Sequence, residues 1–173
     1  MEFIPLKLAG VYGIRVPVYS DLRGTLKRIF DSDFNPIDFN ISQSSIVFNP
    51  LNKTLRGLHF QTNEYSENKF VQCFSGRIFD VLVDLREESQ TYLKHISVEL
   101  GPNSAFSGLL VPRRFAHGYL TLQPHSNLIY FMDRNFSQEF SNGCAWDDPK
   151  LGIKWPAKPK HISQQDQEWK FIE

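Results

Sequence analysis

Three side chains able to hold or move a proton interrupt apolar, strand-like runs. They are His59 in Arg56-Gly57-Leu58-His59-Phe60-Gln61, His117 in Phe115-Ala116-His117-Gly118-Tyr119, and Tyr130 in Leu128-Ile129-Tyr130-Phe131. Histidine titrates near neutrality, so such a residue is a base, a metal ligand, or a core residue with its hydrogen bonds satisfied. Charged residues break other apolar strands at Arg56, Lys69, Asp80 and Asp84. A charge facing the inside of a barrel is costly unless it is paired or meets a ligand. Several of them in one small chain suggest a polar pocket in an apolar shell.

Each residue taken alone has a plainer reading. His59 serves equally well as a satisfied core histidine, and His117-Gly118 as a turn at a strand edge. Tyr130 reads as a packed ring with its hydroxyl bonded, and Arg56 and Lys69 as surface charges whose stems lie on a sheet. Cys73 reads as a small buried hydrophobe. Strand alternation puts Arg56 and His59 on opposite faces, or nearly so if the backbone bulges at Gly57. A catalytic metal fits poorly. Histidine-ligated barrels offer a second histidine two residues on, where this chain has Gln61, and no glutamate follows at ligand spacing.

The elements that must position these groups read as strands. The chain has 173 residues, enough for one domain with a core, and is expected to form a single domain over residues 1–173. Fifteen phenylalanines favour strands and a thick core. Turn signals recur at Asp21-Leu22-Arg23-Gly24, Asn49-Pro50, Ser75-Gly76, Gly101-Pro102-Asn103, Pro112 and Pro124. Between them, residues 70–74 and 78–85 read as a hairpin about Ser75-Gly76. Further strands are expected at 95–100, 108–111, 119–122 and 127–132. Short strands at this spacing predict an all-β sandwich or barrel. Helix is expected only in short pieces, near 33–40 and at the C-terminus. The proline-bearing tail from Asp148 is expected to wrap the barrel as an ordered loop.

Composition narrows the function classes. Lysine plus arginine total 19 and aspartate plus glutamate total 19. That balance argues against a broad nucleic-acid footprint but leaves room for a local anion pocket. Two cysteines, Cys73 and Cys144, do not make a disulfide framework. No apolar run approaches the roughly 20 residues a membrane helix needs. Glu2 stands where a basic signal segment would begin. The expectation is a soluble, reduced, cytoplasmic protein with no nucleic-acid or membrane partner.

Taken together, the motifs resemble a family. Besides the runs quoted above, Lys69-Phe70-Val71, Gly76-Arg77-Ile78-Phe79-Asp80-Val81, Val83-Asp84-Leu85-Arg86, Trp146-Asp147-Asp148-Pro149, Ile153-Lys154-Trp155-Pro156 and Ile162-Ser163-Gln164-Gln165-Asp166 occur in family order. The chain resembles the dTDP-4-dehydrorhamnose 3,5-epimerase family over roughly residues 10–168. The resemblance implies a cupin jelly roll, a homodimer, and no metal or cofactor. It implies epimerisation of a nucleotide-diphosphate 4-keto-6-deoxyhexose at C5, with C3 as a second candidate centre, in deoxysugar synthesis for surface polysaccharide. A hydrogen beside the C4 ketone is weakly acidic, and a base of near-neutral pKa removes it to give an enolate. By resemblance His59 is that base, Asp166 orients its ring, Lys69 stabilises the enolate and Tyr130 returns a proton on the opposite face. Arg23 and Arg56 would meet the diphosphate, and His117 would contact substrate.

Four positions depart from the family pattern. Arg28 stands where the family has a glutamate that meets the thymine ring, and Phe136 stands for a stacking tyrosine. Ser141 replaces a later glutamate, and Gln43-Ser44-Ser45 replaces Gln-Asp-Asn, so Gln43 and Ser45 are the candidate contacts there. Thymine N3 needs an acceptor, whereas cytosine N3 needs a donor such as arginine. A CDP-linked 3,6-dideoxy-4-ketohexose, inverted at C5 alone, therefore stands level with a dTDP-linked substrate. Family dimers let the N-terminal strand of one subunit cover the other's pocket, which offers Arg23 and Arg28 a route to the site. Two other readings remain: a 3,4-ketoisomerase of the same substrate class, and a non-catalytic sugar-nucleotide-binding cupin. The four retained catalytic positions disfavour both.

Overall fold

The computed structural model describes residues 1–172, without the side chain of Phe34. Two antiparallel sheets carry the chain. The first has the order β1 (Glu2–Pro5), β2 (Tyr12–Arg15), β10 (Gly108–Val111), β7 (Lys69–Ser75), β12 (Ser126–Met132), β5 (Gln43–Asn49). The second runs β13 (Ser141–Gly143), β6 (Leu55–Gln61), β11 (Phe115–Thr121), β8 (Ile78–Asp84), β9 (His95–Leu100). β3 (Val18–Asp21) and β4 (Gly24–Lys27) pair only with each other. The result is the all-β fold expected from the strand spacing, with the jelly-roll architecture the resemblance implied. It is flattened into two facing sheets whose edges are not bonded into a closed cylinder.

Three apolar layers explain why the strands read as unbroken hydrophobic runs. Val71, Cys73, Leu109 and Leu128 of the first sheet pack against Ile78, Leu82 and Tyr119 of the second. The outer face of the second sheet is covered by the tail, with Leu151, Ile153 and Trp155 on Leu58, Val81 and Val83. Phe30 and Phe39 cover the outer face of the first sheet against Phe70 and Leu110. A strand apolar on both faces loses the alternation that marks a half-buried one.

Some local expectations need correction. Residues 70–74 and 78–85 do not form a hairpin: β7 pairs with β10 and β12, and β8 with β11 and β9. Ser75-Gly76 is instead a corner between sheets. Gly76 has φ 70°, and a Cβ there would lie 2.6 Å from Ser126 Cα. The helix expected near 33–40 is a single 3₁₀ turn, Ser32–Phe34, capped by the Asp31 side chain. Pro36 disfavours helix at the residue before it, which ends the turn. The C-terminal helix α1 (Gln164–Glu168) does form, with the Ser163 hydroxyl accepting from Asp166 N. The tail wraps as expected, and His161 bridges Thr54.

The strand β6 carries one extra residue. His117 opposes His59 and Tyr119 opposes Arg56, so two steps on β11 match three on β6. This bulge resets the alternation and turns Arg56 and His59 to the same face. It is possible because glycines meet there. Gly57 has φ 123°, and a Cβ on it would sit 2.5 Å from Gly118 Cα. Gly57→Ala should therefore lower the unfolding free energy by about 2–4 kcal/mol in urea denaturation. A loss under about 0.5 kcal/mol would show that the strand absorbs a Cβ without moving.

Candidate active site

A cavity of about 580 Å³ opens between the two sheets. One wall comes from β6 and β11, which supply Arg56, His59, His117 and Tyr119. The facing wall comes from β5, β7 and β12, which supply Gln43, Ser45, Lys69 and Tyr130. Ser141 on β13 and Phe136 and Arg134, just beyond β12, edge the opening. The sandwich thus sets His59 and Tyr130 on opposed walls, with Lys69 on the Tyr130 side.

His59 is held from behind. Its Nε2 is 2.6 Å from Asp166 Oδ1, which fixes the ring and leaves Nδ1 to take a proton. Asp166 Oδ2 accepts from Gly57 N at 3.2 Å, so the bulge and the tail helix meet at this carboxylate. Burial opposes ionisation of Asp166. The hydrogen bonds from His59, Gly57 and Ser163, together with the charge of His59, outweigh it and hold the carboxyl below its ordinary range. Trp169 stands edge-on to the His59 ring, with centroids 6.3 Å apart.

Across the cavity, burial raises the Tyr130 hydroxyl well above the ordinary phenol value. Nearby Tyr119 and Asp80 add to the rise and Arg56 partly offsets it. Tyr130 is therefore a protonated donor at neutral pH. Lys69 Nζ lies 2.7 Å from Glu67 Oε1, and its side chain is only 15% exposed. Arg56 Nε donates to Asn49 Oδ1 at 3.0 Å, and the Tyr119 hydroxyl donates to the same oxygen at 3.3 Å. His117 Nε2 lies 2.8 Å from Asp80 Oδ2, both residues being buried. Burial raises the Asp80 pKa, opposed by His117 and Lys69.

Nine of the twelve sequence candidates line the cavity: Arg56, His59, Lys69, His117, Tyr130, Gln43, Ser45, Phe136 and Ser141. Asp166 stands behind His59. Gln43 Oε1 also accepts from Phe136 N at 2.8 Å. Arg23 and Arg28 are not brought to this cavity. Arg23 is clamped on Asp21 at the turn of the β3–β4 ribbon with its side chain 90% exposed, and Arg28 pairs with Asp31. Asp84, flagged as an interior charge, takes no part either. It is buried at the end of β8, where bonds from Arg86, Thr91 and Ser89 overcome the burial and lower its pKa. Cys73 and Cys144 are buried free thiols, each pushed up to about 12 by burial.

Sequence reasoning passed over Glu67, Tyr119 and Arg134 at the cavity, and over Asp80 as the partner of His117. A period of two would have found Tyr119, two residues after His117 on the same face of β11. Glu67 lies in the irregular segment between the 3₁₀ turn Asn63–Tyr65 and β7, where strand alternation does not apply.

The chain has close relatives of known name. A family model described as dTDP-4-dehydrorhamnose 3,5-epimerase matches residues 5–173. The chain is 36% identical over 170 residues to the dTDP-4-dehydrorhamnose 3,5-epimerase of Sinorhizobium fredii, spanning 96% of this chain and 87% of that one. Identity is also 36% to the enzyme of that name from Methanothermobacter thermautotrophicus, over 98% and 93% of the two chains. The fold superposes on the crystal structure of the Bacillus anthracis dTDP-4-dehydrorhamnose 3,5-epimerase with TDP and PPi bound. The TM-score is 0.93, with 29% identity and 99% of each chain covered. A Legionella pneumophila dTDP-6-deoxy-D-glucose-3,5-epimerase in complex with dTDP-4-keto-L-rhamnose gives a TM-score of 0.91 at 26% identity, over 98% and 92% of the two chains.

The Asp166 bond sets a pH dependence. Its folded pKa is depressed, so its stabilisation is fully present above about pH 4, the unfolded carboxylate value, and is lost as pH falls through the folded value. Asp166→Asn should destabilise the protein by about 1–3 kcal/mol at pH 7, a gap that shrinks in urea titrations below pH 4. A gap independent of pH would mean the charge of Asp166 does not carry the interaction.

Proposed function

The chain belongs to the dTDP-4-dehydrorhamnose 3,5-epimerase family, and from that premise we propose that it epimerises dTDP-4-dehydro-6-deoxyglucose at C5 and C3. The observation that carries the assignment is the opposition of His59 and Tyr130 across one cavity, with Lys69 beside it. His59 Nδ1 removes the hydrogen next to the C4 ketone. The electron pair moves onto the ketone oxygen, where the Lys69 ammonium stabilises the enolate. Tyr130 donates a proton from the other wall, and the centre is inverted. Asp166 fixes the tautomer of His59 and favours the imidazolium that forms. The reaction leaves the oxidation state of the sugar unchanged, so acid–base groups suffice and no cofactor is required. Positioned acid–base groups typically contribute about 10²- to 10⁴-fold each.

Arg56 and His117 are the contacts proposed for the diphosphate and sugar, and Phe136 for the nucleobase, with Gln43, Ser45 and Ser141 nearby. The carrier is dTDP. The named relatives act on dTDP sugars. The working unit is a homodimer of single-domain chains in the cytoplasm. A two-stranded ribbon is marginal by itself, and β3–β4 exposes Tyr19, Leu22 and Leu26. In a dimer that ribbon covers the neighbouring subunit's cavity and brings Arg23 to its diphosphate.

Proton NMR in D₂O tests the reading. The enzyme should wash deuterium into H5 and H3 of the dTDP-linked 4-keto-6-deoxyglucose faster than into its CDP analogue. Preferred exchange on the CDP compound would reverse the choice of carrier, and migration of the ketone to C3 would make the protein a ketoisomerase. His59→Asn should lower exchange by at least about 10³-fold while nucleotide binding persists. Tyr130→Phe should uncouple the two events, allowing exchange on the His59 face with inversion suppressed. Full inversion by Tyr130→Phe would remove Tyr130 from the proton-donor role.

A further inference from the structure

Glu67 is the one carboxylate among the described residues lining the cavity, beside the cations Arg56, Lys69 and Arg134. It is 7% exposed. An acid in a cavity proposed for an anionic diphosphate works against binding, so its presence needs another use. Its two oxygens are both committed. Oε1 lies 2.7 Å from Lys69 Nζ, and Oε2 accepts from Gln61 Nε2 at 3.1 Å. Gln61 in turn donates to the Tyr65 and Asn135 carbonyls and accepts from Ser137 N at 2.7 Å. The segment held this way carries Phe136.

A lysine ammonium is a compact charge on a flexible four-carbon stem. Left free in this cavity, it would be drawn to the two phosphates of a bound substrate rather than to the ketone. A buried carboxylate 2.7 Å away opposes that drift and offers the ammonium in one place. We propose that Glu67 is a positioning residue that holds Lys69 at the reacting end of the substrate, with Gln61 tying the pair to the 135–137 segment at the opposite end. This rests on the epimerase reading above. It also explains why the Lys69 wall and the Phe136 loop are built from one hydrogen-bonded unit.

The prediction separates rate from binding. Glu67→Gln should lower kcat for deuterium wash-in about tenfold with KM unchanged or lower, because the freed ammonium gains ground-state contact with the diphosphate. Glu67→Asp, which keeps the charge, should fall between the two. The effect must vanish where Lys69 is already lost, so Lys69→Gln and Lys69→Gln/Glu67→Gln should exchange at the same rate. If Glu67→Gln does not fold, Glu67→Asp is read the same way, slower than wild type alone and silent in the Lys69→Gln background. An equal loss in both backgrounds, an unchanged kcat, or a rise in KM alone overturns the assignment. No exchange by the wild-type enzyme would sink the functional reading itself, and the role of Glu67 with it. Wild-type exchange matched by Glu67→Gln would sink only the latter.

Discussion

The site depends on one close approach of two backbones. Gly57 and Gly118 meet where β6 carries its extra residue, and the space for a Cβ is absent on both sides. Without that residue, alternation would send Arg56 or His59 to the outer, apolar face. With it, a guanidinium and an imidazole three positions apart share a wall, and Gly57 N is free to reach Asp166. The bulge is thus where strand geometry, the tail helix and the candidate base are joined.

The polar interior is sustained by pairing. Asp80 has His117, Lys69 has Glu67, Asp166 has His59, and Arg56 has Asn49. A charge left alone in such a place costs several kcal/mol. Each pair therefore does two things: it offsets desolvation and it fixes a direction. Groups held in advance need not reorganise when charge develops on a substrate. The partners come from a neighbouring strand for His117, from the segment before β7 for Lys69, from the facing sheet for Arg56 and from the C-terminal helix for His59, so the tail is part of the site although it lines little of it.

Much of this was legible in the chain. Strand spacing announced an all-β fold, and interrupted apolar runs marked Arg56, His59, Lys69, His117 and Tyr130. The motif set then supplied Asp166, more than a hundred residues from its partner, which spacing alone could not do. The false hairpin at Ser75-Gly76 had a physical cause. β7 and β8 are apolar on both faces, so nothing in their pattern says which sheet each joins. Glu67 hid for a different reason: a carboxylate two residues from a lysine looks like an exposed pair until its burial is known. Arg23 and Arg28 were visible as charges, but they sit on or beside a ribbon that hydrogen-bonds to neither large sheet of its own chain, so the fold brings neither to the cavity.

His59 and Tyr130 belong to different sheets, and neither sheet's hydrogen bonds set the gap between them. That gap is set by the layer of Val71, Cys73, Leu128, Leu82 and Tyr119 packed between the walls. Facing sheets stand about 10 Å apart, a distance governed by the volume of the side chains they enclose. The apolar core therefore works as a spacer gauge. Its side-chain volumes, of which only Tyr119 reaches the cavity, fix how thick a ring can be gripped from both faces at once.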